Sequence, residues 1–549
     1  MSHPALVAVV VLIVAWFALA GMDRARQRRR LREVADRWGR SPESRRTGPI
    51  VSRRLHDLMG SSSDPETSIV DDRTWADLDL DTVHARMDHT FSPIGAQVLH
   101  RILRTLRHDP QVLQCRRGLL DILEDDENLR RRLQMALIGL GDRGIGRLAE
   151  ILWEDPPPPS RLRSLIPLLS IAPLVGVVAA LMGFGPWMVV ATAAINMVIH
   201  YVHQRHFESF PLVHLGALLG AAVRIEVAAG EVLPQITEAV RPGLAATAST
   251  RRRLSVLLLD DGVGLTLYLR IVLLLDVMAW ISAAAAVRRA SSELRQLLVA
   301  VGEVDALLAI ASWRHSARPM TVPEPRPTFV GAVVQQMCHP LLDQPVPSSL
   351  ELDGKSILVT GSNMSGKTTF LKALGVNAVL AQTIGFAMAN RWSLPSLQVV
   401  TSIGRADNLI EGRSYYLAEV EAVARMVRVV GDGREHLFLA DEIFRGTNAT
   451  ERIGAAVAVL QYLASEDDLV LAATHDLELA EMLRDRYKTV HFAEDLGEDG
   501  LSFDYRLRQG VTTGRTAIDL LEHVGYPEEV VLEARRLVAG LEGTRPAPQ

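Results

Sequence analysis

Gly361-Ser362-Asn363-Met364-Ser365-Gly366-Lys367-Thr368-Thr369 fits the pattern G-x-x-x-x-G-K-[ST] in full. It follows the apolar run Ser356-Ile357-Leu358-Val359-Thr360 and precedes Phe370-Leu371-Lys372-Ala373-Leu374, the strand, turn and helix that a phosphate-binding loop requires. Gly361 and Gly366 allow the backbone to curl so that successive N–H groups face a phosphate. Lys367 reaches the β and γ oxygens, and Thr368 offers a hydroxyl to Mg²⁺ at a helix N-terminus. The expected ligand is a nucleoside triphosphate, ATP above all, with Mg²⁺. Arginine carries nearly all the positive charge of the chain, yet of its few lysines Lys355, Lys367 and Lys372 lie around this loop. A compact ammonium suits a phosphate as a point charge where a guanidinium fork does so less well.

Downstream, His436-Leu437-Phe438-Leu439-Ala440-Asp441-Glu442 reads as an apolar strand ending in two acids. Asp441 is expected to hold Mg²⁺ through its water shell and Glu442 to orient or deprotonate the attacking water. A strand ending in Asp-Glu is common by chance; its distance from the phosphate loop gives it weight. A further apolar run, Leu469 to Thr474, ends in His475, a position from which an imidazole can sense the γ-phosphate at the carboxyl end of a parallel strand.

The chain has 549 residues, enough for several domains, and 48% of them are hydrophobic, with a mean hydropathy of +0.14 that is high for a wholly soluble protein. A formal charge of −5 gives no overall drive toward nucleic acid. Cys115 and Cys338 are the only cysteines, which excludes a disulfide framework and a four-cysteine metal site and suits a reducing compartment.

Ala5 to Gly21 is apolar and uncharged, and Asp23 to Arg32 after it is strongly basic, the order of an uncleaved signal anchor with its basic flank in the cytoplasm. A second apolar block, Leu165 to Val202, is interrupted at Gly183-Phe184-Gly185-Pro186 and flanked by Arg161, Arg163 and Arg205. It reads as a helical hairpin, each arm just long enough to span a bilayer, or as a buried hairpin of a soluble domain. A third stretch, Val263 to Val287, contains Arg270 and Asp276 and reads as a buried soluble helix.

These features divide the chain into an anchor at 1–22, a basic stretch and flexible linker at 23–77, a helical core at 78–160, the hairpin at 161–204, a helical lever region at 205–318 and an ATPase domain with a helical tail at 319–549. The expected fold class is an α/β P-loop (ABC-type) ATPase domain following a mainly α-helical core and lever domain with transmembrane helices. Within the core, Val98, Ile102 and Leu106 share helical spacing. The Arg excess suggests a GC-rich bacterial genome, hence a plasma-membrane location with the ATPase domain on the cytoplasmic side.

Taken together, the blocks resemble the MutS-like DNA mismatch-repair ATPases, a branch of the ABC ATPase class. The phosphate loop with its Asn363-Met364 pair is similar to that family's, as are Ala381-Gln382-Thr383-Ile384-Gly385, Thr401 to Asn408 leading to Glu411-Gly412-Arg413-Ser414, Asp441 to Thr447, Ala473-Thr474-His475 and Gly525 to Val530. The resemblance spans nearly all of Phe329 to Leu541, and more loosely Leu80 to Leu119 and Val304 to Ala309. It implies that Gln382 contacts nucleotide and that two chains pair through their ATPase domains, Ser414 of one approaching the nucleotide of the other. The family's mismatch-reading and connector domains have no room here. The sequence also departs from the family at Phe444, where the family has a small residue, and at Asn448-Ala449-Thr450. Two functions stand open: a membrane-tethered ATPase that grips DNA, with Arg251-Arg252-Arg253 and Arg288-Arg289 for phosphate contacts, or one acting on a protein or lipid partner without nucleic acid.

Overall fold

The computed structural model describes residues 38–40, 48–60, 65–141, 143–154, 164–209, 213–254, 265–317, 319–362, 365–404, 415–464, 467–497, 500–511, 518, 521–522 and 524–543. The expected N-terminal anchor, Asn363, Met364 and the segment 405–414 with Ser414 lie outside the described residues, as do the side chains of Arg252 and Arg253. The chain forms two compact units, one drawn from Met1–Ser63, His84–Leu103 and Cys115–Ser316, the other from Asp64–Val83, Arg104–Gln114 and Ala317–Gln549.

The second unit holds the strands. In chain order these are β1 (Thr67–Ile69), β2 (Thr105–Arg107), β3 (Val333–Met337), β4 (Ser348–Glu351), β5 (Ser356–Thr360), β6 (Arg391–Trp392), β7 (Gln398–Ser402), β8 (His436–Asp441), β9 (Leu469–Thr474), β10 (Tyr487–Gly497) and β11 (Gly500–Gln509). Six form one sheet in the order β11-β10-β5-β9-β8-β7, parallel throughout except for β11. Every residue of β5 and β9 is buried, which is why both read as continuous apolar runs rather than alternating ones. Phe438, Met426, Leu460, Val470 and Tyr487 belong to one apolar cluster on this sheet. Register pairs Thr360 with Thr474 and Asp441 with Ala473, so the loops leaving β5, β8 and β9 emerge along one edge.

Segment 64–83 is tied into this unit by buried polar contacts. Asp71 caps the helix Asp72–Asp77 by accepting from the N–H groups of Arg73 and Thr74, and it also pairs with Arg425. Asp77 accepts from Thr401 Oγ1 at 2.8 Å and from the Ile403 N–H at 2.9 Å. Gly375, on the helix after the phosphate loop, lets Leu78 approach so closely that a Cβ there would lie 2.6 Å from Leu78 Cδ2. The linker expected at 23–77 is thus partly structured: Pro49–Met59 is a helix with Leu55 fully buried, and β1 pairs with β2. Ser, Pro and charge report weak local propensity and say nothing of a tertiary partner. Leu106, expected on a helix with Val98 and Ile102, lies instead in β2 because the helix Pro93–Arg104 ends just before it.

The first unit is helical. Its longest helix, Ser291–Ser316, buries Leu294, Leu298, Val301, Val304 and Leu308. Asp305 fastens it to the loop before Pro93–Arg104, accepting from the N–H groups of Phe91 (2.8 Å) and Ser92 (2.9 Å) and from Ser92 Oγ (2.6 Å). Gly95 makes room for that carboxylate, since a Cβ would sit 2.2 Å from its oxygen.

Ile166–Ala179, continued to Phe184 by a wider helical turn, and Trp187–Ser209 pack as a hairpin whose corner uses positive φ at Gly183 and Gly185. Ile166–Phe184 is long and apolar enough to cross a membrane, and Trp187–His203 is a shorter apolar helix. Leu168, Leu181, Val190, Val198 and Tyr201 are exposed, unlike the core of a soluble domain. The stretch expected as one buried helix is two, Leu265–Val272 and Leu275–Arg289, broken where Leu274 takes φ 52°. The second is largely buried; on the first, Tyr268 and Leu269 are exposed.

Candidate nucleotide site

The site begins with the turn leaving β5. Gly361 has φ 142° and Gly366 has φ 104°, conformations that L side chains resist. A Cβ at Gly361 would lie 2.7 Å from Ser365 Oγ, which donates to the Ser362 carbonyl at 2.8 Å and closes the turn. Gly366 is the N-cap of the helix Lys367–Thr383, so the positive end of that helix lies at the loop.

Lys367 is buried, and its Nζ donates to the carbonyls of Gly361 at 2.7 Å and Ser362 at 2.6 Å. It lies 3.9 Å from Glu442 Oε1. Thr368 Oγ1 donates to Asp441 Oδ2 at 2.5 Å, joining the loop to the end of β8. Burial raises the Asp441 pKa above the ordinary range and the Glu442 charge adds to this, while the Thr368 hydrogen bond and Lys367 oppose it. A carboxylate and a hydroxyl so placed are hard oxygen donors that suit Mg²⁺, and the excess negative charge at Asp441 and Glu442 is what a cation would relieve. Among the described residues no cluster of three His, Cys, Asp or Glu side chains forms a metal cage.

Glu442 has φ 50°, and its N–H donates to the Ala473 carbonyl at 2.9 Å. Its carboxylate pairs with Arg445 at 2.8 Å and with His475 Nδ1 at 3.2 Å. Burial pushes its pKa up, but the His475 hydrogen bond and the charges of Arg445, His475 and Lys367 outweigh this and hold it below the ordinary range. His475 is followed by Asp476, which takes a bidentate pair from Arg452 at 2.9 and 2.8 Å.

The structure therefore brings together Gly361, Ser365, Gly366, Lys367, Thr368, Thr369, Asp441, Glu442 and His475. Gln382 is not among them. It lies fifteen residues along the helix from Lys367, about 22 Å at 1.5 Å per residue. Its amide is used locally, with Nε2 donating to Ala378 O and Leu397 O at 3.0 Å and Oε1 accepting from Ser396 Oγ at 2.7 Å.

Three participants were given no individual role by the sequence reading. A cavity of about 340 Å³ opens beside the loop, lined by Met337, His339, Val346, Thr369, Phe492 and Tyr505 among others. Tyr505 lies against Gly366, 3.2 Å from where a Cβ would stand. Burial, then the Lys372 charge, pushes His339 down to about 4, so it is neutral at pH 7. Arg445 is the third, and its N–H and that of Gly446 donate to Glu419 at 3.1 and 3.2 Å.

Residues 357–542 match the MutS domain V family. The chain is 31% identical over 265 residues to the DNA mismatch repair protein MutS of Thermus thermophilus, covering 47% of this chain and 32% of that protein. It is 32% identical over 263 residues to the DNA mismatch repair protein MutS 2 of Halobacterium salinarum, covering 46% and 30%. The match to MutS of Natronomonas pharaonis is 29% identical over 272 residues, covering 48% and 31%. The aligned part is about a third of the length of these relatives. Residues 357–542 are thus similar to MutS in its domain V, and that domain is an ATP hydrolase.

Proposed function

We propose that this protein is a membrane-tethered, MutS-like ATPase. It binds Mg·ATP at the Gly361–Thr369 loop, hydrolyses it between two paired ATPase domains, and passes the resulting motion to the helices that end in Ser291–Ser316. The observation that carries this reading is the convergence of Lys367, Thr368, Asp441, Glu442 and His475 on the edge where β5, β8 and β9 end.

Lys367 exchanges the two loop carbonyls for phosphate oxygens. Thr368 and Asp441 hold Mg²⁺, which when bound supplies charge neutralisation to the phosphates. Glu442 orients the attacking water or accepts its proton, and His475 contacts the γ-phosphate. The cavity beside Gly366 is suited to the base, with Tyr505 as an aromatic face. Ser414 of a second chain completes each site in the paired state.

Two substrates for the mechanical output follow. The similarity to mismatch repair proteins supports DNA, gripped by the helical unit. The exposed apolar hairpin supports a partner at the membrane, protein or lipid, with the ATPase on the cytoplasmic side of a bacterial plasma membrane. ATP turnover by the purified chain, with and without duplex, mismatched or branched DNA, separates them. Stimulation by DNA that is absent in Glu442→Gln supports the first. Turnover indifferent to every DNA supports the second, and no turnover under any condition defeats the ATPase reading.

A further inference from the structure

The break between Leu265–Val272 and Leu275–Arg289 leaves backbone carbonyls without helical partners, and the hairpin supplies them. Asn196 Nδ2 donates to Val272 O at 2.7 Å and also to Leu169 O at 2.8 Å; Ser170 Oγ donates to Leu273 O at 2.6 Å. Arg270 and Asp276 pair across the break at 2.7 Å, both mostly shielded. Ile166, Leu274 and Val277 close the junction with Leu169 and Ile199 against them.

A helix break open to water needs none of this, because water satisfies its carbonyls. In hydrocarbon each must be satisfied internally, and charges must be paired. Ser170 lies four residues inside the hairpin from Ile166 and Asn196 seven residues before His203, so the clasp stands roughly 6 to 10 Å from the hairpin's open end. That is the depth at which an amphipathic helix rests between headgroups and acyl chains. Tyr268, 67% exposed, and Leu269, 50% exposed, continue the bare apolar surface of the hairpin, and Tyr201 is 74% exposed near the same end. Tyrosines at this level and Trp187 beyond the corner match the aromatic belts of a bilayer.

We propose that Leu265–Val272 is an interfacial helix whose partner is the lipid of the cytoplasmic leaflet, held at fixed depth by the Asn196 and Ser170 clasp. The inference rests on the membrane reading of the hairpin and adds a third lipid-contacting element to it. Through Leu275–Arg289, which runs directly into Ser291–Ser316, this helix links the bilayer to the longest helix of the unit.

The test uses the full chain with Cys115→Ser and Cys338→Ala, reconstituted in vesicles of phosphatidylcholine and phosphatidylglycerol. Single cysteines at Leu269, Val175 and Val511 carry an environment-sensitive fluorophore, and the lipids carry nitroxides either shallow or deep in the acyl chain. The expected result is quenching of Leu269 mainly by the shallow nitroxide, of Val175 mainly by the deep one, and of Val511 by neither. Asn196→Ala should abolish the Leu269 preference and leave Val175 unchanged. Quenching at Val175 without quenching at Leu269 overturns this inference and spares the hairpin. Quenching at neither overturns both. An Asn196→Ala chain with Leu269 quenched as before overturns the clasp.

Discussion

Arg445 holds Glu442 in an ion pair at 2.8 Å, three residues apart on the turn after β8. The carboxylate offered as the base thereby meets the Arg445 guanidinium on one oxygen, with Lys367 and the His475 imidazole on the other. Glu442→Gln keeps the shape of that turn and removes the proton acceptor. Turnover should fall by about 10²- to 10⁴-fold, the usual contribution of a positioned base, with nucleotide binding retained. Steady-state ATP hydrolysis and equilibrium binding of a fluorescent nucleotide check the two halves; hydrolysis at the parental rate would assign the base elsewhere.

Lys367→Ala removes a buried ammonium and leaves the carbonyls of Gly361 and Ser362 without that donor. Hydrogen bonds to charged groups contribute about 1.5–3 kcal/mol, so nucleotide affinity should weaken by about ten- to a hundredfold. Titration calorimetry reads the change directly, and an unchanged affinity would place the phosphates away from this loop.

Phe444 combines left-handed backbone, φ 62°, with burial in the apolar cluster of the sheet. Phe444→Gly would relieve about 1–2 kcal/mol of backbone strain. It would also forfeit a buried aromatic side chain, a loss of about 3–5 kcal/mol, and the second effect wins. The variant should be destabilised, and the following Arg445-Gly446-Thr447 turn loosened. Thermal unfolding with hydrolysis assayed below the transition tests this; a variant more stable than the parent would show that strain dominates.

Burial pushes the Asp305 carboxyl from 3.8 up to about 7, against the hydrogen bonds from Phe91 and Ser92. The folded chain then binds more protons than the unfolded chain between those values, so this group's contribution to stability falls as pH rises through the window. Asp305→Asn should flatten that part of the stability profile and lower stability, because an amide NH₂ would confront a backbone donor. Denaturant unfolding from pH 4 to pH 7.5, at roughly half-unit steps around the shifted value, gives both. An identical slope in the variant would remove Asp305 as its source.

The sequence made some parts of this molecule legible and hid others for physical reasons. The phosphate loop and the acids after β8 were readable because their chemistry demands particular residues at close spacing, and parallel central strands write themselves as unbroken apolar runs. Tyr505 and His339 were not, since one reaches the cavity from β11 and the other from the loop after β3, far apart in sequence, and no motif joins them. Gln382 shows the reverse: a family-like block whose side chain is used up by Ser396 and Leu397. The break at Leu274 carries no glycine or proline to announce it; its partners, Ser170 and Asn196, lie about a hundred and about eighty residues away, at separations of 103 and 76 to the carbonyls they serve. The 23–77 segment misled because a short strand and a helix with one buried leucine need little local propensity once a partner surface exists.

Segments 64–83 and 104–114 belong to the unit of the sheet, while 84–103 between them belongs to the other. The boundary is therefore crossed repeatedly by the covalent chain, and neither unit is a contiguous stretch that one cut could release. A fragment beginning at Ala317 would lack Asp71 and Asp77 and expose Thr401, Ile403 and Arg425, which they satisfy. Isolating the sheet-bearing unit would mean rejoining three separate segments of chain rather than truncating at one point.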